Sequence, residues 1–277
     1  MTHSCRFPAA INRYLFFRFP LRYYFISDVH LGYGLPPEDR QREARLVLLL
    51  EQIREEAKAG EVAGLFIVGD LFDSWFEFQS VIPRRHIRTI ALLAWIAEHV
   101  PVEYLMGNHD FGHRNFFEQE LRIPIHRGDV ERTLLGKRFY IAHGDGKAVN
   151  DTGYLILRAV LRSRVAQMAY RIIHPDLGIP FAEWVSGRSR LYTDGREALK
   201  QHDGLRIFAE RQLATGRYDF VVMGHRHEAM TNTFEHGTYV NLGDWIHSYT
   251  FGIFDENGFR IEQAPMIGRN DDNAISD

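Results

Sequence analysis

Five times along this chain a short β-rich run ends in a glycine- or serine-flanked loop that carries aspartate, asparagine or histidine. Tyr23 to Ser27 leads into Asp28-Val29-His30, Leu65 to Val68 into Gly69-Asp70, and Val102 to Met106 into Gly107-Asn108-His109-Asp110. Arg138 to Ala142 leads into His143-Gly144-Asp145, and Phe220 to Met223 into Gly224-His225-Arg226-His227. Open α/β sheets place their ligands at the carboxyl ends of strands, so the pattern calls for a fold that gathers these loops on one edge. Helical patterns fill the intervals. After Pro36 and Pro37, residues Leu46, Val47, Leu50, Ile53 and Ala57 recur at helix spacing with Gly60 as a stop, and Ile87 to Val100 also reads as a helix. Shorter β runs at Thr238 to Leu242, Thr250 to Phe254 and Phe259 to Glu262 close the pattern. The order predicts a layered α/β domain whose sheets are covered by helices.

The domain is expected over residues 21–146 and 217–267, interrupted at 147–216 by a helical insertion, or cap. Within the insertion, helices are expected at Tyr154 to Ile173 and Leu205 to Thr215, with a break at Pro175 and Pro180 and a shorter piece at Phe181 to Val185. Arginines 158, 162, 164, 171, 188 and 190 face only Asp176 and Glu183 in that stretch. Such local basicity suits an anionic ligand or an anionic lipid surface; equally, it suits a solvated face with snorkelling stems. Residues 1–20 read as an N-terminal extension, either flexible or a basic aromatic segment touching a membrane, and residues 268–277 as a polar tail.

Composition closes off several classes. Hydrophobic residues make up 45% and charged residues 25% of the 277, as in ordinary globular domains. One cysteine, Cys5, excludes a disulfide scaffold and a cysteine zinc site. A formal charge of −3 gives no electrostatic case for nucleic acid. No apolar run approaches the ~20 residues that span a bilayer.

Asp28, His30, Asp70, Asn108, His143, His225 and His227 are oxygen and imidazole donors without sulfur. That mixture suits Mn, Fe, Co or Zn and argues against copper(I). Two carboxylates, one amide and four imidazoles exceed one tetrahedral ion but suffice for two when a carboxylate bridges, and paired ions in phosphate-cleaving enzymes lie ~3.5–4 Å apart. On these extended strand ends, period-two alternation turns Asp28 with His30, and His225 with His227, to the same side.

The run DVH, GDLFD, GNHD, HGD, GHRH resembles the calcineurin-like metallophosphoesterases from Tyr23 to about Asp244. The resemblance implies a four-layer αββα sandwich of two mixed sheets. It also implies that Asp28, His30, Asp70 and His227 hold one ion, while Asp70, Asn108, His143 and His225 hold the other. The longer strings FISDVHLG, LFIVGDLFD, GNHDF, IAHGDG and YVNLGDW are similar to the UDP-2,3-diacylglucosamine diphosphatase branch of lipid A biosynthesis. That likeness implies two divalent ions, manganese first, and a cap that holds acyl chains. The implied substrate is a UDP-linked acylated glucosamine, split at its pyrophosphate by a cytoplasmic enzyme peripheral to the inner membrane. Asn108, His109, Asp151, Ser189, Thr193, Arg196 and His225 would contact substrate. The best-known members of the branch carry arginine directly after the ligand asparagine; this chain has His109, as general phosphodiesterases of the superfamily do.

In that setting His109 is assigned to stabilising charge, with proton donation second, and Asp110 to holding its ring by a hydrogen bond. Asp73 either backs a ligand imidazole or caps a helix after Phe72. The aromatics Trp75, Phe76 and Phe78 either pack in the core or rim a lipid site. Two other functions compete: a phosphodiesterase or nucleotide pyrophosphatase with a small soluble substrate, and a non-catalytic scaffold of the same fold.

Overall fold

The computed structural model describes residues 21–147, 159–160, 162–193 and 198–266. The expected extension at 1–20 and tail at 268–277 lie outside the described residues.

Strand β1 (Arg22–Ile26) runs parallel to β2 (Val62–Val68), β2 to β3 (Val102–Leu105), and β3 to the two-residue β4 (Ile125–His126). The second sheet begins with β5 (Val130–Leu134), antiparallel to β6 (Lys137–Ala142), which runs parallel to β7 (Phe220–Met223). Its far edge is β8 (Ala229–Phe234), antiparallel to β9 (Gly237–Leu242), and β9 runs parallel to β7. Strands β10 (Thr250–Asp255) and β11 (Gly258–Gln263) return to the first sheet as an antiparallel extension beside β1. Both sheets are therefore mixed, of six and five strands.

Period-two alternation divides the apolar residues between two cores. Tyr24, Ile26, Leu65 and Ile67 face helices α1 (Pro36–Lys58) and α2 (Ile87–His99), whose Leu46, Leu49, Ile53, Leu93 and Ile96 meet them. Phe25, Phe66 and Val68 point the other way, onto Phe139, Ile141, Val222 and Val240 of the second sheet. Phe25 stacks on Phe66 at 5.0 Å between ring centroids. The outer face of the second sheet is covered by a later helix, Ala198–Ala214, through Leu205, Ala209 and Leu213. The layers are thus helix, sheet, sheet, helix, as expected.

Short helix α3 (Phe116–Gln119) follows β3, and α4 (Arg164–Arg171), α5 (Pro175–Thr193) and α6 (Ala198–Ala214) lie between β6 and β7. Two expectations need correction here. In the described part of Tyr154 to Ile173, Arg162 and Ser163 form a turn, and the Ser163 hydroxyl caps α4 by accepting from Ala166 N at 3.2 Å. Nor do the prolines break the next helix. Pro175 stands at its start, where the missing N–H is not needed, and Pro180 removes one hydrogen bond from a helix that continues to Thr193.

The parallel core strands β1, β2, β3, β6, β7 and β9 all end at one edge. Main-chain hydrogen bonds lace their loops together: Asp28 N to Gly69 O, His30 N to Asp70 O, Gly224 N to His143 O and Trp245 N to Asp28 O.

Candidate metal centre

Five of the seven candidate ligands adopt a left-handed backbone: Asp28 (φ 52°), His30 (51°), Asp70 (53°), His225 (69°) and His227 (60°). Non-glycine residues avoid this region, and their clustering at one edge marks a site where surrounding structure imposes it. The strands have already ended at Ile26 and Met223, so strand alternation is not what aims Asp28 with His30 or His225 with His227. Paired left-handed turns do that instead, sending Val29 into the core. Buried Arg42 of α1 holds the first turn by donating to the carbonyls of His30 and Tyr33, both at 2.9 Å.

Asp28 shows how an ion would be seated. Its Oδ2 accepts from Ser27 Oγ at 2.5 Å and from His225 N at 2.8 Å. Its Oδ1 is fully buried without a hydrogen-bond partner, 3.7 Å from His30 Nε2 and 3.5 Å from His227 Nε2. A buried carboxylate oxygen left so is costly, and a cation among Asp28, His30 and His227 would satisfy it. Burial opposes charge on Asp28, yet the neighbouring imidazoles bring its pKa down to about 2.

Asp70 joins this set to a second. Its Oδ1 accepts from His109 N at 2.8 Å, and its Oδ2 lies 3.1 Å from His143 Nε2 and 3.9 Å from His30 Nε2. Asp70, His143 and His225 offer ligand atoms all within 4.8 Å of one another. Asn108 Oδ1 stands 3.0 Å from His143 Nε2, while His143 Nδ1 is occupied by the carbonyl of Val68 at 2.9 Å. Burial works against the Asp70 charge, but His143, His109 and His30 hold its carboxyl well below the usual range. Burial, with His143 beside it, pushes His225 down to about 4. At neutral pH the carboxylates are ionised and His225 is uncharged. Burial works against charge on His143, but Asp70 and Asp28 push its pKa up, so ions held by this oxygen and imidazole set would displace that proton.

The residues behind the ligands matter as much. Asp73 Oδ1 lies 3.4 Å from His30 Nδ1, and no helix starts after Phe72, so its position matches the imidazole-backing reading and not the cap. Asp244 Oδ2 lies 3.5 Å from His227 Nδ1. Backing carboxylates of this kind fix the ring so that Nε2 faces a metal. Sequence reasoning passed over Asp244, although Thr238 to Leu242 followed by Gly243-Asp244 repeats the same strand-end pattern.

His109 reaches the centre, with its ring 4.9 Å from that of His30. Asp110 does not hold it. The buried Asp110 carboxylate accepts from Tyr104 Oη at 2.5 Å, Gly107 N at 2.8 Å and Leu71 N at 2.9 Å, which ties the loop after β3 to the loop after β2. Burial and the charge of Asp70 push the Asp110 pKa up. The expected bond to the His109 imidazole is therefore replaced by a brace between two ligand loops.

Helices α4 and α5 pack beside the centre. Arg162, just before α4, donates to Gly107 O at 2.7 Å and to Asp145 at 3.1 Å; Arg171 donates to Glu77 O at 3.1 Å. Trp75 is core, stacked on Phe72 at 4.5 Å, whereas Phe76 and Phe78 receive Tyr170 of α4. A cavity of about 390 Å³ opens beside Asp73, lined by Trp75, Val81, Arg85, Pro175 and Ile179 among others. Asp151 and Arg196, and the side chains of Ser189 and Thr193, lie outside the described residues.

A family model of calcineurin-like phosphoesterases matches residues 21–229, which takes in all seven candidate ligands. The chain is a calcineurin-like phosphoesterase. Membership makes it a metal-dependent phosphoesterase, in line with the donor set above. It is similar to a Porphyromonas gingivalis protein named UDP-2,3-diacylglucosamine hydrolase, at 30% identity over 256 residues, covering 86% of this chain and 96% of that one. A Xanthomonas axonopodis pv. citri protein of the same name is 29% identical, covering 87% and 98%. Among solved structures, the Escherichia coli phosphoesterase Yfce is 15% identical with a TM-score of 0.41, covering 89% of this phosphoesterase and all of that chain (100%).

Proposed function

We propose that this phosphoesterase hydrolyses the pyrophosphate of UDP-2,3-diacylglucosamine, giving UMP and 2,3-diacylglucosamine 1-phosphate. The observation that carries the reading is coverage: relatives of that name match 86% of the chain, and 96% of the first one's own length is aligned. The region between β6 and β7 supports it too. Val165 and Met168 on α4, Ile172 just after it, and Leu177, Phe181 and Trp184 on α5 are exposed, Ile172 by 86%. Exposed apolar residues at helical spacing, with arginines nearby in the chain, fit a lipid-facing surface. Among the described residues no helix is long and apolar enough to cross a membrane, so the seat on the inner membrane would be peripheral.

In this reading Asp28, His30, Asp70 and His227 would hold one manganese-type ion and Asp70, Asn108, His143 and His225 the other. Such a pair, when bound, polarises phosphoryl oxygens and lowers the pKa of water toward neutrality. The protein's own residues do the rest. Asp73 and Asp244 keep two ligand rings turned inward, and Asp110 locks the loop that presents Asn108 and His109. Asn108, His109 and His225 contact the substrate, and His109 steadies charge that builds on the phosphoryl oxygens. Water adds to one phosphorus as the bridging P–O bond breaks. The leaving group is itself a phosphate, so it needs little protonation. Asp151, Ser189, Thr193 and Arg196 are assigned to substrate on sequence grounds.

His109, standing where the branch has arginine, favours a second reading, a phosphodiesterase acting on small soluble substrates. Purified protein given UDP-2,3-diacylglucosamine and bis-p-nitrophenyl phosphate separates the two. The lipid should be turned over with at least a hundredfold higher kcat/KM; equal or lower efficiency on the lipid rejects the proposal.

A further inference from the structure

Ser186 of helix α5 reaches into the centre. Its Oγ lies 2.9 Å from His109 Nδ1 and 3.0 Å from the main-chain carbonyl oxygen of Asp73, and that carbonyl is itself 3.2 Å from His109 Nδ1. A carbonyl oxygen has no proton to give, so the Ser186 hydroxyl donates to Asp73 O and turns a lone pair toward the imidazole. Nδ1 then faces two acceptors and must carry a proton. The carboxylate of Asp73, 3.7 Å from the same nitrogen, adds to that preference. In the neutral ring the lone pair therefore sits on Nε2.

We infer that Ser186 is a positioning residue for His109, fixing the tautomer and rotation of its ring from the helix that covers the centre. The inference rests on the proposed role of His109 at the phosphoryl group. An arginine at this position would need no such device, because its guanidinium is always charged and presents five donors whichever way it lies. A histidine has two unlike nitrogens, and its use depends on which one is protonated. Ser186 and the Asp73 carbonyl make that choice together, and Ser186 contributes only while α5 is seated, which ties the helix to the chemistry.

The test uses the full chain loaded with zinc, labelled with 15N-histidine, and its Ser186→Ala, Ser186→Thr and His109→Asn variants, the last to assign the His109 signals. Wild type should show the Nδ1–H tautomer at His109. Ser186→Ala should shift those signals toward a tautomer mixture and lower kcat on bis-p-nitrophenyl phosphate about tenfold, with KM and metal content unchanged. Ser186→Thr, which keeps the hydroxyl, should restore kcat to within about threefold. A wild-type Nε2–H signal overturns the inference, even if the alanine variant fails to fold. So does a Ser186→Ala protein with unchanged His109 signals, or a threonine variant as slow as the alanine one. Neither readout needs the acylated substrate, so rejection of that substrate leaves this test intact.

Discussion

His30 and His227, 197 residues apart in the chain, meet with their Nε2 atoms 3.3 Å apart. Each ring has a carboxylate behind it, Asp73 for His30 and Asp244 for His227. With both Nδ1 atoms donating backwards, both Nε2 atoms present lone pairs to one another. Two lone pairs repel, and with Asp28 Oδ1 aimed at the same space the arrangement is stable around a cation.

Asp244 touches His227 and no other ligand among the described residues, so removing its charge should weaken one ion selectively. Asp244→Asn is expected to lower affinity at one site by about 10–100-fold, the usual effect of losing a backing partner. A calorimetric manganese titration should show two classes of site where wild type shows closer affinities. Equal weakening at both sites would contradict the assignment.

Gly224 lets two loops approach without a side chain between them. A Cβ there would lie 1.9 Å from Ser27 Oγ and 2.3 Å from Asp28 Oδ2. Gly224→Ala should therefore displace Asp28, reducing metal content and lowering activity more than tenfold. Gly128→Ala is the control, since nothing lies within 4 Å of a Cβ at that position. Elemental analysis beside an activity assay distinguishes the pair.

Glu77 anchors the loop behind Phe76 by accepting from the main-chain N–H groups of Arg114, Asn115 and Phe116 and from Trp75 Nε1. Burial works against its charge, but His113 and these donors bring its pKa from 4.5 down to about 2. A depressed pKa means the folded state prefers the ionised form. The contribution, roughly 3 kcal/mol, is thus fully present above pH 4.5 and is lost as pH falls toward about 2. Glu77→Gln should lower stability at pH 7 and flatten that acid limb in chemical denaturation.

Asp110 braces main chain, so its loss should be felt in stability before mechanism. Asp110→Asn replaces an acceptor oxygen with an N–H₂ that meets N–H donors, at a cost of about 2–3 kcal/mol. The midpoint of denaturation should fall, while the His109 tautomer in NMR should stay as in wild type. A variant with normal stability and an altered His109 ring would restore the orienting role to Asp110.

The sheets and the candidate ligands were legible because each core strand is an apolar run that stops at a polar, glycine-flanked loop. What the residues could not reveal was how those loops turn. Left-handed backbone at Asp28 and His30 comes from Arg42 and from hydrogen bonds to the next loop, partners distant in sequence. Strands β5 and β8 were missed for related reasons. The first ends in Leu135-Gly136, both with positive φ (47° and 79°), a hairpin turn without the usual asparagine or aspartate. The second alternates exposed and half-buried residues at a sheet edge, so no apolar run announces it. Asp110 was misjudged by proximity: it adjoins His109 in the chain, but its carboxylate faces the other way.

Metal stoichiometry tests the account most directly, because Asp70 lies between the two candidate ligand sets, beside His143 of one and His30 of the other. Wild-type protein reconstituted with manganese and freed of excess should hold two ions per chain, and Asp70→Ala should hold fewer than one, with no turnover. Wild type binding a single ion, or an Asp70→Ala protein that keeps both, would contradict a shared bridge.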